Sequence, residues 1–148
     1  MNGVWYVNFH DSLVVARPWG FVLMYNVGVD IVEIERIQRA VDRWGQRFLH
    51  RIYTEAELDL CRNRVPELAA RFAGKEAVMK ALGTGTRGVS WRDIEILSNR
   101  RRAPLVFLHG GARRRARKLG IKGLAISLSH SRDYAVASVV GGTQEQPT

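Results

Sequence analysis

A single cysteine, Cys61, occurs in the chain, so no internal disulfide can form. Histidine is nearly as scarce, and its four scattered copies cannot assemble a zinc-ligand spacing. Both absences fit cytoplasmic residence. Long apolar runs are also missing. Trp5, Tyr6, Phe9, Trp19 and Phe21 make the start of the chain apolar and aromatic, but Asp11 and Arg17 interrupt it before the ~18 residues needed to span a bilayer. That segment has neither the basic start nor the small-residue cleavage site of a secretory signal. No internal repeat is found. Acidic residues are outnumbered, 14 against 23 Lys and Arg, and the resulting +9 draws polyanions such as nucleic acid, anionic membranes, phosphorylated cofactors or acidic proteins.

What is present describes one globular domain. At 148 residues, with 46% hydrophobic and 25% charged content, the chain can close a single core, which excludes wholesale disorder. Residues 1–23 read as an appendage, either the product of an upstream start codon ahead of Met24 or an extra edge strand. Residues 24–140 form the patterned body, and the polar GGTQEQPT of residues 141–148 predicts a frayed tail. Within the body, Tyr25–Ile31 reads as a buried strand and Val32–Trp44 as a helix. Ile34, Ile37, Val41 and Trp44 share one arc of that helix, and Arg36, Arg39 and Arg43 share the opposite one. Thr54 and Glu57 make a capping-box pair, and Pro66 opens a longer helix that ends at Gly83. Val89–Leu97 and Leu105–Leu108 read as strands, Ala112–Leu119 as a basic helix, and Leu124–Ser129 with Tyr134–Val140 as a closing hairpin. The order β-α-α-α-β-β-α-β-β predicts an α+β fold, with helices packed on a small antiparallel sheet and one long helix buried on two faces.

Several residues break these patterns. Lys75 falls inside the apolar arc of Leu68, Phe72, Met79 and Leu82, which means either a snorkelling stem or an anion at its tip. Ala70, Ala73, Gly74, Ala77 and Ala81 form an arc of small side chains that admits a second backbone closely. Glu76 and Lys80, one turn apart, read as a surface ion pair. Asp30 interrupts an apolar strand, where it is either an N-cap for the following helix or a functional carboxylate. If Asp30 and Glu76 converge, they offer two hard oxygens suited to magnesium and a diphosphate. Gly83-Thr84-Gly85-Thr86 is a turn that could also wrap a phosphate. His130 has no adjoining partner that suggests a triad. The runs Arg100–Arg102 and Arg113–Lys118 lack interleaved aromatics, which weakens a stacking-type single-strand binder.

The ordered set GVDIVEIERI at Gly28–Ile37 and RFAGKEAVMKALGTG at Arg71–Gly85, with FLHRIYTEAEL at Phe48–Leu58, WRDIEI at Trp91–Ile96 and LSHSRDYAVA at Leu128–Ala137, resembles the holo-acyl-carrier-protein synthase family over residues 24–140. The resemblance implies a cytoplasmic phosphopantetheinyl transferase that moves the 4′-phosphopantetheine arm of coenzyme A onto a serine of acyl carrier protein. Magnesium would assist, adenosine 3′,5′-bisphosphate would leave, and the product would serve fatty-acid biosynthesis. It implies a homotrimer with sites between subunits, and neither nucleic acid nor membrane as partner. Carried over residue by residue, it makes Asp30 and Glu76 metal ligands and catalytic residues and Lys80 a catalytic, phosphate-facing lysine. Arg71, Lys75, Gly83 and His130 become coenzyme A contacts, and Glu76 or a metal-held water takes the serine proton. Arg36, Arg39 and Arg43 become the docking face for the acidic carrier, extended by Arg47 and Arg51. Two departures stand out: Gly74 where alanine is usual, and no glycine in the turn Arg101-Arg102-Ala103-Pro104. The rival is a small basic nucleic-acid-binding protein without catalysis.

Overall fold

The computed structural model describes residues 5–8, 12–16 and 22–144, with side chains described from Met24 to Thr143. A long strand, β3 (Val22–Glu33), leads into helices α1 (Ile34–Trp44), α2 (Gln46–Ile52), α3 (Glu55–Cys61) and α4 (Val65–Leu82). A 3-10 turn at Trp91–Asp93 opens the hairpin β4 (Ile94–Ser98) and β5 (Pro104–Leu108). Helix α5 (Gly110–Lys118) and the hairpin β6 (Ile121–His130) and β7 (Tyr134–Gln144) complete the body. Ahead of it, β1 (Trp5–Asn8) and β2 (Ser12–Ala16) form an antiparallel pair that adds to the start of β3. The main sheet is antiparallel, ordered β1-β2-β3-β7-β6, and the hairpin β4-β5 is a separate sheet. The architecture is α+β.

Most expected elements form, and the differences have local causes. β3 stays paired with β7 as far as Glu33↔Tyr134, so α1 starts at Ile34 and its N-cap is Glu33. Asp30 therefore lies inside the strand and caps nothing. Gly45 ends α1 and begins α2: its amide donates to the Val41 carbonyl, and its carbonyl accepts from Phe48 and Leu49. Trp44, expected on the buried arc, is left 50% exposed by this break. The strand expected from Val89 starts at Ile94, because the Ser90 amide donates to Asp93 Oδ2 and bends the chain into a turn. β7 runs on to Gln144 and pairs with residues 23–26, so the expected tail is ordered strand up to there, while residues 145–148 lie outside the described residues.

α4 is the fold's axle. Apolar or small on most sides, it has no solvent face wide enough for an amphipathic helix and is buried along its length. Its small-residue arc receives this chain's own sheet. A Cβ on Gly28 would lie 1.8 Å from the Ala77 carbonyl oxygen, so strand and helix backbones touch there. At Gly74 an added Cβ would meet Ile96 Cδ1 at 2.5 Å, with Leu128 and Ile126 close behind. Gly74 thus makes room for Ile96, Leu128 and Ile126 against α4. The other departure is also explained. Arg102 takes the left-handed conformation (φ 62°) that a glycine would adopt without strain. Asn99 holds that turn, its Oδ1 accepting from the Arg101 and Ala103 amides at 2.8 and 3.0 Å.

The sheet's second face is open. Strand register puts Val27 opposite Val140 and Ile31 opposite Val136, with Val29 between them on the same side. Val27, Val29 and Ile31 are 45%, 57% and 63% exposed.

Candidate functional site

Alternation along β3 turns Gly28, Asp30 and Val32 toward α4. Since Gly28 brings the strand onto Ala77, Asp30 arrives beside the helix turn that carries Glu76 and Lys80. The Lys80 ammonium lies 2.9 Å from Asp30 Oδ1 and 2.9 Å from the Val29 carbonyl oxygen. The surface pair expected between Glu76 and Lys80 is replaced by this one, across the strand–helix seam. Asn26 Nδ2 donates to the Ala81 carbonyl at 3.0 Å and fastens the same seam one turn further on. Glu76 is half-buried, and its carboxyl is pushed above the usual range by burial and then by the charge of Asp30, against opposing pulls from Lys80 and Arg36. Two carboxylates therefore repel at one mouth, with Arg36 at the start of α1 nearby.

That mouth suits a divalent cation. Among the described residues no group of three or more His, Cys, Asp or Glu side chains is placed to hold a metal. Asp30 and Glu76 are the carboxylates here that could hold one, with phosphate or water completing its shell. Few carboxylates plus substrate phosphates is the ligand habit of magnesium.

The other expected ligand contacts fall elsewhere. Arg71 lies five residues before Glu76, about 140° round the helix, and faces the β4 side. Its Nε donates to the Ile96 carbonyl at 3.2 Å, and its Nη1 pairs with Glu67 at 2.9 Å. With His130 it lines a cavity of about 790 Å³ that also takes in Arg62, Arg64 and Arg102. Arg62 and Arg64 carry no signal in the pattern, and Arg102 stands out only as part of a basic run and of a turn without its usual glycine. The candidate residues thus form two groups, Asp30, Glu76, Lys80 and Arg36 on one side of α4, Arg71 and His130 on the other. Arg39 and Arg43 lie exposed along α1 with Arg36.

One expected contact is corrected. Lys75 reaches no ligand, because it is fully buried and its ammonium pairs with Glu57 Oε2 at 2.8 Å while donating to the carbonyls of Trp91, at 3.0 Å, and Ile94. It neither snorkels nor meets a phosphate. Burial pulls the Lys75 ammonium below the usual range, and Glu57 pushes it back up. Glu57 is the hub that pattern reading missed: its second oxygen accepts from the Ile96 amide at 2.8 Å while Oε2 also closes the capping box at Thr54. Gly83, expected as a coenzyme A contact, has its amide engaged in the helix cap. It caps α4 in the left-handed conformation, its amide donating to the carbonyls of Lys80 and Met79 and the next amide, Thr84, donating to Met79. Those two amides are committed to the cap, so they do not cradle a phosphate. Arg115 completes this end by donating to the Leu82 carbonyl at 2.9 Å, which takes one member of the basic run out of solvent-facing duty.

Residues 26–139 match the 4′-phosphopantetheinyl transferase superfamily. The chain belongs to that superfamily. The phosphopantetheinyl transferase match begins inside β3, so β1 and β2 lie ahead of it. The chain is similar to the holo-[acyl-carrier-protein] synthase of Herpetosiphon aurantiacus, with 51% identity over 125 residues covering 80% of this chain and 98% of that protein. It is likewise similar to that of Dehalococcoides mccartyi, at 54% over 117 residues, 79% of this chain and 98% of the other. The Helicobacter pylori holo-[acyl-carrier-protein] synthase, solved in complex with coenzyme A, shares the fold with a TM-score of 0.72 at 36% identity, covering 78% of this chain and 98% of that one. Nothing among these relatives favours a nucleic-acid binder.

Proposed function

We propose that this transferase moves the 4′-phosphopantetheine arm of coenzyme A onto a serine of an apo acyl carrier protein, in the service of fatty-acid biosynthesis, and releases adenosine 3′,5′-bisphosphate. The observation that carries the reading is the meeting of Asp30, Glu76 and Lys80 at one strand–helix seam in a chain of this superfamily. Asp30 and Glu76 would hold magnesium, which when bound supplies charge neutralisation along the diphosphate as its bond to the nucleotide breaks. Lys80, half exposed at the same lip, adds a fixed cation where negative charge builds up. Arg36 stands beside Glu76 at the start of the exposed stripe it shares with Arg39 and Arg43. That stripe steers an acidic carrier so that its serine arrives at the carboxylate mouth. Cytoplasmic residence goes with this reading. The unpaired, buried Cys61 suits a reducing compartment, and among the described residues no helix is long and apolar enough to cross a membrane.

The enzyme works as a homotrimer. Support comes from the apolar open face of β3 and β7, and from the division of ligand-facing residues between two sides of α4. Association of copies brings one subunit's Arg71 and His130 cavity to the next subunit's Asp30 and Glu76, making coenzyme A a shared ligand. Intact-mass measurement of an apo carrier protein incubated with the enzyme, coenzyme A and magnesium tests the activity. One added phosphopantetheine on the serine is the expected result. A carrier of unchanged mass, with the enzyme folded and the carrier competent toward a known transferase, overturns it.

A further inference from the structure

The carboxylates at the strand–helix seam face a cation that the chain itself supplies. The Lys80 ammonium donates to Asp30 Oδ1 and to the Val29 carbonyl oxygen, each at 2.9 Å. The two acceptors differ in kind. A carboxylate can turn about its own side-chain bonds, whereas the Val29 carbonyl belongs to a strand paired on β7 and tethers the ammonium in place over Asp30. An ammonium has three donors, of which these contacts use two, and half of the Lys80 side chain faces solvent. Lys80 can therefore give up Asp30 for another anion while keeping its hold on Val29.

Charge at this mouth is already balanced. Asp30 pushes the Glu76 carboxyl up while Lys80 and Arg36 pull it down, so the four groups act on one another. Two carboxylates, Asp30 and Glu76, stand against two cations, Lys80 and Arg36. A bare divalent ion brought to the carboxylates leaves positive charge in excess and contends with Lys80 for the same Asp30 oxygen, where two cations a few ångströms apart repel. A diphosphate changes both terms. Its negative charge restores the balance, and its oxygens accept the donors that Lys80 withdraws from Asp30.

Resting on the transferase reading above, we propose that Lys80 gates the metal site: it neutralises Asp30 until a diphosphate draws the ammonium off, so that a divalent ion is held firmly only together with coenzyme A. Lys80 thereby makes the two ligands bind cooperatively, a duty separate from placing positive charge on the diphosphate during transfer. By linkage, the ion tightens coenzyme A by the factor that coenzyme A tightens the ion. A lysine that served the phosphates alone would lower coenzyme A affinity on removal and leave the affinity for the bare ion unchanged.

Manganese binding to the full chain tests this, read from loss of the free-ion electron paramagnetic resonance signal with and without coenzyme A, with enzyme-free coenzyme A as the blank. Wild type should bind manganese at least about tenfold more tightly with coenzyme A than alone. Lys80→Met should bind manganese alone about tenfold more tightly than wild type, and coenzyme A should then tighten it by a factor at least about fivefold smaller than in wild type. Lys80→Arg, which keeps the charge, should bind manganese alone as weakly as wild type. A damaged fold does not imitate a gain in affinity. Wild-type or weaker binding of manganese alone by Lys80→Met overturns the gate, as does a coenzyme A factor equal in wild type and Lys80→Met, or a Lys80→Arg that behaves like Lys80→Met. Each of these leaves the transferase reading standing if wild type transfers. A wild type that binds no manganese even with coenzyme A overturns the metal assignment itself, and the gate with it.

Discussion

Replacing Lys75 by Met keeps the length of the side chain and removes its charge, in a place where both Lys75 and Glu57 are fully buried. The ammonium has three acceptors: Glu57 Oε2 at 2.8 Å, the Trp91 carbonyl at 3.0 Å and the Ile94 carbonyl. Met satisfies none of them. Stranding one partner of a buried ion pair costs about 3–5 kcal/mol, against a total stability of about 5–15 kcal/mol for a domain of this size. Urea denaturation at neutral pH should therefore show a loss of about a fifth or more of the unfolding free energy. Adding Glu57→Gln to Lys75→Met removes the orphaned charge and keeps an acceptor for the Ile96 amide, so the double variant should be less unstable than the sum of the single ones. A loss under about 1 kcal/mol for Lys75→Met would refute the pairing as a main tie between α3, α4 and β4. Full stability together with weakened coenzyme A binding would return Lys75 to the ligand.

Three further outcomes are expected. Gly28→Ala puts a Cβ 1.8 Å from the Ala77 carbonyl oxygen, backbone against backbone, so it should cost about 3 kcal/mol or more in urea melts and part Asp30 from Glu76, lowering transfer even in the fraction that stays folded; wild-type activity would contradict the close approach. Because burial and Asp30 hold the Glu76 carboxyl above its usual range, protons should displace it as a metal ligand on mild acidification, and raising magnesium should move the acid limb of kcat/KM to lower pH, whereas a limb indifferent to magnesium would remove Glu76 from the metal site. Mixing subunits of Glu76→Gln with subunits of His130→Ala, each impaired alone, should restore up to about one quarter of wild-type activity if sites are shared between copies in a closed ring, and no recovery after exchange would place the whole site in one chain.

Local physics was legible where one element decides its own fate. The apolar and arginine arcs of α1, the Thr54–Glu57 capping box and the Pro66-to-Gly83 limits of α4 all follow from side-chain period and capping chemistry, and all are found. What depends on tertiary neighbours was not legible. α2 has seven residues and no side-chain cap, and it holds because Leu49 and Ile52 are buried against the core. Lys75 stands out in the pattern, but its partner Glu57 also closes a capping box, and period gives no sign that the same carboxylate reaches Lys75. Trp44 fitted the buried arc of α1 and was exposed by the break one residue later. The carboxylate mouth occupies a middle ground. Asp30 was conspicuous in an apolar strand, yet only the contact of Gly28 with Ala77 brings it to Glu76, and period has no means of finding that contact. Resemblance, not pattern, paired the two. It did not separate Arg71 and His130 from them, because that separation depends on which side of α4 each residue faces.

The most direct test of the shared metal site is manganese binding in place of magnesium, followed by electron paramagnetic resonance on the full chain with coenzyme A present. Wild type should bind one ion per site, and Asp30→Asn and Glu76→Gln should each lose it at concentrations that saturate wild type while remaining folded. Undiminished manganese binding in both variants would contradict the assignment of these carboxylates to a common ion.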